Sequence, residues 1–216
     1  MATKVKICGL KTAAAVEAAL AGGAEYVGFV FYPPSPRSIA PDKAAEIAKP
    51  ARGRAKIVAL FVDPDDALLE RVVNVLAPDI IQLHGQESPE RVAAIRARFK
   101  RPVMKAIKVE TAADAAQALR YKAAADLILF DAKAPKDWAA ALPGGNGVPF
   151  DWHALDGVKD KVDYMLSGGL TPANVAQSIS RTGATAVDVS SGVEAQPGEK
   201  DVRLIADFLA AVKAAS

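Results

Sequence analysis

Apolar residues occur in eight short runs along the chain, and longer stretches of mixed apolar and polar residues separate these runs. The runs are rich in Val, Ile, Leu and Phe, which is typical of β-strands buried on both faces. We place the strands near residues 4–9, 26–31, 56–62, 79–84, 102–108, 126–131, 163–167 and 185–190.

The stretches between the runs are amphipathic or alanine-rich, and they predict helices. We place them near residues 12–22, 41–49, 65–76, 88–99, 112–122, 151–156, 172–181 and 200–213. Ser88 before Pro89, and Thr171 before Pro172, each predict a capping residue followed by proline at the first helical position. The pair Gly22-Gly23 predicts the end of the first helix.

Eight strand–helix units with no long linker predict parallel strands joined by crossover helices, and so a single-domain (β/α)8 (TIM) barrel over residues 1–216. An open doubly wound sheet is the alternative, but it would normally carry a Gly-x-Gly-x-x-Gly turn after the first strand. The turn from Cys8 to Thr12 has no such pattern. The Pro- and Gly-containing segment 133–150 is long for a connection, and we interpret it as a lid or binding loop.

Composition narrows the function classes further. The apolar fraction of 51% is ample for a core, and 27 basic against 25 acidic residues give a net charge of only +2. This balance favours neither nucleic acid nor membrane as a partner. One cysteine suits a reducing compartment, and we find neither a signal-peptide pattern nor an apolar stretch of the ~20 residues that span a bilayer. We therefore expect a cytoplasmic protein.

Several residues able to do chemistry stand where the predicted strands end, which is where barrel enzymes carry their active sites. These residues are Cys8, Gln82, His84, Asp131 and Asp188, and Arg37 follows the second strand in a proline-rich loop. Side chains alternate across a strand, so Lys6 and Cys8 share one face, and Leu127, Leu129 and Asp131 share another. In one barrel, a thiol and a carboxylate would meet at the same rim, where they can act as base and acid.

Each of these residues also has a simpler interpretation. Cys8 alone is more often a packing residue, His84 can hydrogen-bond a neighbouring loop, and Arg37 can be a surface charge. Asp131 and Asp188 can be caps or ion-pair partners, although an unpaired buried carboxylate costs several kcal/mol of desolvation. Their occurrence together at different strand ends favours a functional site.

Two turns rich in glycine and serine follow the seventh and eighth predicted strands. They contain Gly168 and Gly169 in the first turn, and Ser190, Ser191 and Gly192 in the second. Barrels often bind phosphate between these two loops, where glycine lets backbone amides approach an anion. The segment 144–147 lacks the ending of a nucleotide-binding loop, and we interpret it as a flexible part of the sixth loop.

A metal site is a rival use of Cys8, His84, Asp131 and Asp188. The chain has only two histidines, and the other, His153, lies in a predicted surface helix. We therefore expect no metal.

The order of the motifs resembles one enzyme family over nearly the whole chain. The motifs are Lys6-Ile7-Cys8-Gly9-Leu10, Gly28-Phe29-Val30-Phe31, Ser35-Pro36-Arg37-Ser38-Ile39, Gln82-Leu83-His84-Gly85, Leu129-Phe130-Asp131, Ser167-Gly168-Gly169-Leu170 and Asp188-Val189-Ser190-Ser191-Gly192-Val193-Glu194. They resemble those of the phosphoribosylanthranilate isomerases of tryptophan biosynthesis.

The resemblance implies an Amadori rearrangement of N-(5-phosphoribosyl)anthranilate to 1-(2-carboxyphenylamino)-1-deoxyribulose 5-phosphate, without cofactor or metal. It implies that Cys8 is the general base, that Asp131 is the general acid and that Arg37 holds the anthranilate carboxylate. It also implies that the two glycine/serine turns hold the phosphate. We further expect Gln82, His84 and Asp188 to bind this phosphosugar, in a monomer or a homodimer.

The proposed chemistry needs an ionised thiol and a protonated carboxyl. We hypothesise that Lys6 lowers the pKa of Cys8, and that burial and the substrate's negative charge raise the pKa of Asp131. Two alternatives remain open. One is another phosphosugar barrel, such as an epimerase or an indole-glycerol-phosphate synthase with Lys6 or Lys105 as a catalytic residue, and the other is a non-catalytic phosphosugar-binding barrel.

Overall fold

A computed structural model of the chain describes residues 2–134, 144, 145, 147 and 149–215. Eight parallel strands follow one another around a closed barrel, and β8 pairs with β1 to close it. The strands are β1 Lys4–Cys8, β2 Tyr26–Phe31, β3 Lys56–Phe61, β4 Ile80–Leu83, β5 Val103–Val109, β6 Leu127–Ala132, β7 Tyr164–Leu166 and β8 Ala186–Val189. The predicted barrel is confirmed, and each predicted strand is present.

Helices cover the outside of the barrel. The α-helices of the described residues are α1 Ala13–Ala21, α2 Pro41–Ile47, α3 Asp66–Leu76, α4 Pro89–Phe99, α5 Ala112–Ala116, α6 Val175–Thr182 and α7 Val202–Ala214. Short 3-10 helices span Lys49–Ala51, Gln117–Tyr121, Trp152–Leu155 and Ser191–Val193, and a hairpin of β9 Glu194–Gln196 and β10 Glu199–Lys200 precedes α7. The sixth unit therefore has a 3-10 helix, Trp152–Leu155, where we expected a short helix near residues 151–156.

The helix ends test the capping predictions. Ser88 accepts a hydrogen bond from the Arg91 amide at 3.3 Å, which confirms the predicted start of α4. The helix α1 ends at Ala21 with Gly22 as its cap, also as predicted. The prediction for Thr171 is wrong, because α6 begins only at Val175. The Asn174 side chain accepts a hydrogen bond from the Thr171 amide at 2.8 Å, and this contact closes a turn before the helix.

Alternation along the strands divides the side chains between two cores. The outward side chains, Val5 and Ile7 among them, pack beneath the helices in the larger core. The inward side chains fill the barrel, and its lower part is an apolar layer of Met104, Ala106, Leu129, Met165 and Ala186. The upper part contains the polar residues that end the strands, so the predicted faces of β1 and β6 are confirmed.

Two further predictions from the sequence concern membrane-spanning segments and the long loop after β6. Among the described residues, none of the helices combines the length and the apolar character that a bilayer crossing requires. Residues 135–143, 146 and 148, and with them most of the predicted loop 133–150, lie outside the described part of the chain.

Candidate functional site

A pocket opens at the carboxyl ends of the strands. Of the predicted site residues, it is lined by Cys8, Arg37, His84, Asp131, Gly168, Gly169, Asp188, Ser190 and Ser191. Gln82 and Gly192 do not line it. The barrel thus brings residues from β1, β2, β4, β6, β7 and β8 and their loops around one space.

A buried ion pair forms the wall of the pocket beside Cys8. Lys6 is completely buried, and its Nζ donates to Asp188 Oδ1 at 2.8 Å. The Ser167 hydroxyl donates to Asp188 Oδ2 at 3.1 Å. Both carboxylate oxygens therefore have partners, which is the condition for keeping such a pair inside a protein. From the sequence, we named Ser167 only as part of the motif after the seventh strand and gave it no individual role.

The electrostatics of this wall correct one hypothesis. Burial raises the pKa of the Cys8 thiol, and although Lys6 and, more weakly, Lys200 oppose this shift, Asp188 adds to it. Lys6 therefore acts in the direction that we hypothesised, but burial outweighs it and the net pKa of the thiol is raised. For Lys6 itself, burial favours the neutral amine, but the charges of Asp188 and Cys8 outweigh burial and raise the pKa of Lys6.

A row of hydrogen bonds reaches Asp131 from β4. His84 Nε2 lies 3.1 Å from Asp131 Oδ2, and Gln82 Nε2 lies 3.3 Å from His84 Nδ1. With the Gln82 amide as donor, His84 carries its proton on Nε2 and donates it to Asp131. The second oxygen of Asp131 accepts from the Ala132 amide at 2.9 Å. Gln82 is fully buried behind His84, so it orients the imidazole and does not contribute to the pocket surface.

Gly144 lies against this pair. A Cβ atom on Gly144 would lie 2.7 Å from Asp131 Oδ2 and 2.8 Å from His84 Nε2. Such distances are not compatible with a side chain, so the close approach requires glycine.

Arg37 is buried, with 5% of its surface exposed, and its interpretation as a surface charge is wrong. Its Nε and Nη2 atoms each donate to a carboxylate oxygen of Glu194 at 2.8 Å, in a bidentate pair. Nη2 also donates to the Gly145 carbonyl at 3.1 Å. Glu194 is the last residue of the last motif named in the sequence analysis, but nothing in the sequence pairs it with Arg37.

The loops after β7 and β8 meet backbone to backbone. Gly168 has φ +91°, and a Cβ there would lie 2.5 Å from the Ala132 amide nitrogen. A Cβ on Gly192 would lie 1.9 Å from the Leu170 carbonyl oxygen, so this glycine lets the two loops touch. The Ser190 hydroxyl donates to the Cys8 carbonyl at 3.2 Å. One rim of the pocket is formed by Gly168, Gly169, Ser190 and Ser191. The helix α6 begins only at Val175, too late in the chain to place its own N-terminus directly at this rim.

Two observations concern the alternative uses of the site, a metal site and a catalytic Lys105. Among residues 2–134, 144, 145, 147 and 149–215, no group of three or more His, Cys, Asp or Glu side chains is arranged to hold a metal ion. Lys105 is paired with Glu87 at 2.9 Å and donates to the Gly85 carbonyl at 2.7 Å, so it supports the loop after β4. His153 is exposed, as predicted.

The pocket therefore combines three chemical features. A thiol and a carboxyl can exchange protons with one bound molecule, the glycine/serine rim suits an anion, and a guanidinium suits a carboxylate. A molecule that carries a phosphate and a carboxylate on either side of an acidic C–H bond matches this set.

Comparison with known proteins gives a consistent result. A family model described as N-(5'phosphoribosyl)anthranilate (PRA) isomerase matches residues 5–211. The N-(5'-phosphoribosyl)anthranilate isomerase of Brucella canis is 52% identical over 212 residues, which cover 98% of this chain and 95% of that protein. The crystal structure of phosphoribosyl anthranilate isomerase from Thermotoga maritima is 36% identical, with a TM-score of 0.88 over 98% of this chain and 99% of that one.

A second solved structure was determined with a ligand. It is a phosphoribosyl anthranilate isomerase in complex with reduced 1-(o-carboxyphenylamino)-1-deoxyribulose 5-phosphate. It is 34% identical to this chain, with a TM-score of 0.85 over 98% of this chain and 99% of that one.

Proposed function

The chain belongs to the N-(5'-phosphoribosyl)anthranilate isomerase family, and we propose that it performs the family's reaction with Cys8 as general base and Asp131 as general acid. The reaction is the Amadori rearrangement of N-(5-phosphoribosyl)anthranilate to 1-(2-carboxyphenylamino)-1-deoxyribulose 5-phosphate in tryptophan biosynthesis. The observation that carries the assignment of roles is that Cys8 and Asp131, from opposite parts of the barrel, line one pocket.

In the first step, Asp131 gives its proton to the ring oxygen of the ribose while the bond between this oxygen and C1 breaks. The nitrogen lone pair forms the C1–N double bond of a cationic Schiff base. Hydrogen bonds from His84 and the Ala132 amide to the two oxygens of Asp131 stabilise the carboxylate that remains. These two donors favour proton release at the moment when the ring opens.

In the second step, Cys8 removes the proton from C2 of the sugar. The electrons of this C–H bond form the C1–C2 double bond, and those of the C1–N double bond return to nitrogen. The resulting enolamine then tautomerises through solvent, since C1 takes up a proton from water while the C2 hydroxyl loses its proton to water and becomes the ketone. Burial raises the pKa of Cys8, and the positive charge of the nearby Schiff base favours the thiolate, so the thiol gives its proton to solvent before it acts on C2.

The ends of the substrate are held by different parts of the rim. We assign the phosphate to Gly168, Gly169, Ser190 and Ser191, with Gly192 permitting the contact between their loops. Arg37 binds the anthranilate carboxylate. Asp188, fixed by Lys6 and Ser167, is placed to accept a hydrogen bond from a ribose hydroxyl.

The direct test is an assay of the purified protein on freshly prepared N-(5-phosphoribosyl)anthranilate in the presence of a chelator. We expect product formation at the same rate with and without chelator, because the assigned steps use only side chains of the protein. Binding of the substrate without turnover would instead support a phosphosugar-binding barrel, and loss of turnover in chelator would contradict the assigned roles.

A further inference from the structure

A short hairpin after β8 contacts Arg37, and we propose that Glu194 and Lys200 in this hairpin are positioning residues for the anthranilate carboxylate. This proposal rests on the proposed function, since it concerns how Arg37 is presented to that substrate. Neither residue needs to touch the substrate in order to act. Their role is to hold the guanidinium and to connect it with the phosphate rim.

Glu194 is the centre of the hairpin's contacts. Its carboxylate accepts two hydrogen bonds from Arg37 at 2.8 Å each, one from Lys200 Nζ at 2.6 Å and one from the Gly198 amide at 3.2 Å. The side chains of Arg37, Glu194 and Lys200 are only 7%, 4% and 2% exposed. Burial with this many partners fixes the orientation of the carboxylate, and therefore that of the guanidinium.

The charges of this cluster leave one positive charge in excess. Arg37 and Lys200 are two basic side chains, and Glu194 is a carboxylate between them; burial lowers the pKa of Lys200, and the charge of Glu194 opposes this shift. Although burial favours its neutral form, Arg37 and Lys200 hold the pKa of Glu194 below its ordinary value, so it stays ionised. A substrate carboxylate would balance the remaining charge. Glu194 occupies Nε and Nη2 of Arg37, and within the described residues Nη1 has no hydrogen-bond partner.

Lys200 extends the cluster to the phosphate rim. Its Nζ donates to the carbonyl and the hydroxyl of Ser190 at 2.9 and 3.2 Å. Ser190 in turn donates to the Cys8 carbonyl. The hairpin thus connects the residue assigned to the carboxylate with a residue assigned to the phosphate, and so sets the spacing between the two anionic ends of the substrate.

The turn of the hairpin rests on the loop that carries Arg37. Gly198 has φ +84°, and a Cβ there would lie 2.5 Å from the Pro36 carbonyl oxygen. An alanine at this position would therefore push the hairpin and the loop apart. Gly183 is a matched control, because it also has a positive φ of +69° but a Cβ there would meet nothing within 4 Å.

The first experiment is a double-mutant cycle of Glu194→Gln and Arg37→Lys, with the dissociation constant of the reduced product analogue as readout. In the wild-type background, we expect Glu194→Gln to raise this constant about tenfold or more, as expected for the loss of a charged hydrogen bond. In the Arg37→Lys background, Glu194→Gln should raise the dissociation constant less than about threefold, because lysine lacks the guanidinium that Glu194 holds. Equal effects in both backgrounds would overturn the proposal.

The second experiment does not depend on Glu194→Gln folding, since removing a buried charge can destabilise a protein. It compares Gly198→Ala with Gly183→Ala. We expect Gly198→Ala to raise KM and the dissociation constant of the analogue about three- to tenfold with kcat nearly unchanged, and Gly183→Ala to leave all three near wild type. Equal binding by the two variants would overturn the proposal.

These measurements separate the two levels of inference. Absence of turnover in the wild-type protein would contradict the proposed function. In a wild-type protein that turns over, unchanged binding by both Glu194→Gln and Gly198→Ala would contradict only the role of the hairpin.

Discussion

Two layers of side chains fill the barrel, and the same strands build both. On β6, Leu129 lies in the apolar lower layer, and Asp131, two residues later on the same face, lines the pocket. On β8, Ala186 and Asp188 repeat this change. The lower layer contains only apolar side chains, whereas the upper layer contains an ion pair, a thiol and an acid hydrogen-bonded to histidine.

The difference shows how the fold divides its tasks. The lower layer removes apolar surface from water, and this burial stabilises the barrel. The upper layer buries charged and polar groups, each of which needs partners to offset its desolvation. We therefore expect substitutions in the upper layer to affect mainly turnover and substitutions in the lower layer to affect mainly stability.

The largest expected effect is on catalysis by the upper layer. Cys8→Ala removes the assigned base, and it should lower kcat/KM by about 10²- to 10⁴-fold, the usual contribution of a positioned base. Steady-state kinetics give this number, and urea unfolding provides the control, since the midpoint should stay close to that of the wild type. A folded variant with near-normal turnover would remove Cys8 from the mechanism.

The opposite pattern is expected in the lower layer. Leu129→Ala should lower the free energy of unfolding by about 2–5 kcal/mol, because a fully buried side chain leaves a cavity. Its kcat, measured per folded molecule at low temperature, should stay within about threefold of the wild type. If Leu129→Ala lost kcat as severely as Cys8→Ala, the division between the two layers would be refuted.

A smaller effect concerns the charge state of the upper layer. Burial raises the pKa of Cys8, the one cysteine of the chain. The thiolate is the reactive form, so a higher pKa moves its appearance to higher pH. A free thiol is half ionised at pH ~8.5. In the unliganded protein, the rate at which iodoacetamide alkylates Cys8 should still rise about tenfold per pH unit above this pH. A plateau below that pH would show that the positive charges of Lys6 and Lys200 prevail over burial.

The sequence was sufficient for the barrel and for the positions of the two residues to which we assign proton transfer. Alternation placed Leu129 and Asp131 on one face of β6, and Lys6 and Cys8 on one face of β1, because side chains on any strand alternate with a period of two residues. The closed order of the strands then followed from the repeat of strand–helix units.

Other features depend on depth and on distant parts of the chain, which a local pattern does not contain. Parity put Gln82 and His84 on one face, but only the barrel shows that Gln82 lies behind His84. The pKa of Cys8 depends on burial as well as on Lys6, so the neighbouring charge alone predicted the wrong direction. The contact between Arg37 and Glu194 joins residues 157 positions apart.

The most direct test of the account compares Asp131→Asn with Leu129→Ala, two substitutions on the same face of one strand. Asparagine keeps the shape of the side chain but cannot give a proton to the ribose oxygen. The measurement is kcat on N-(5-phosphoribosyl)anthranilate for folded Asp131→Asn. We expect a loss of about 10²-fold or more, with Leu129→Ala close to wild type. A kcat for Asp131→Asn within about threefold of the wild type would contradict it.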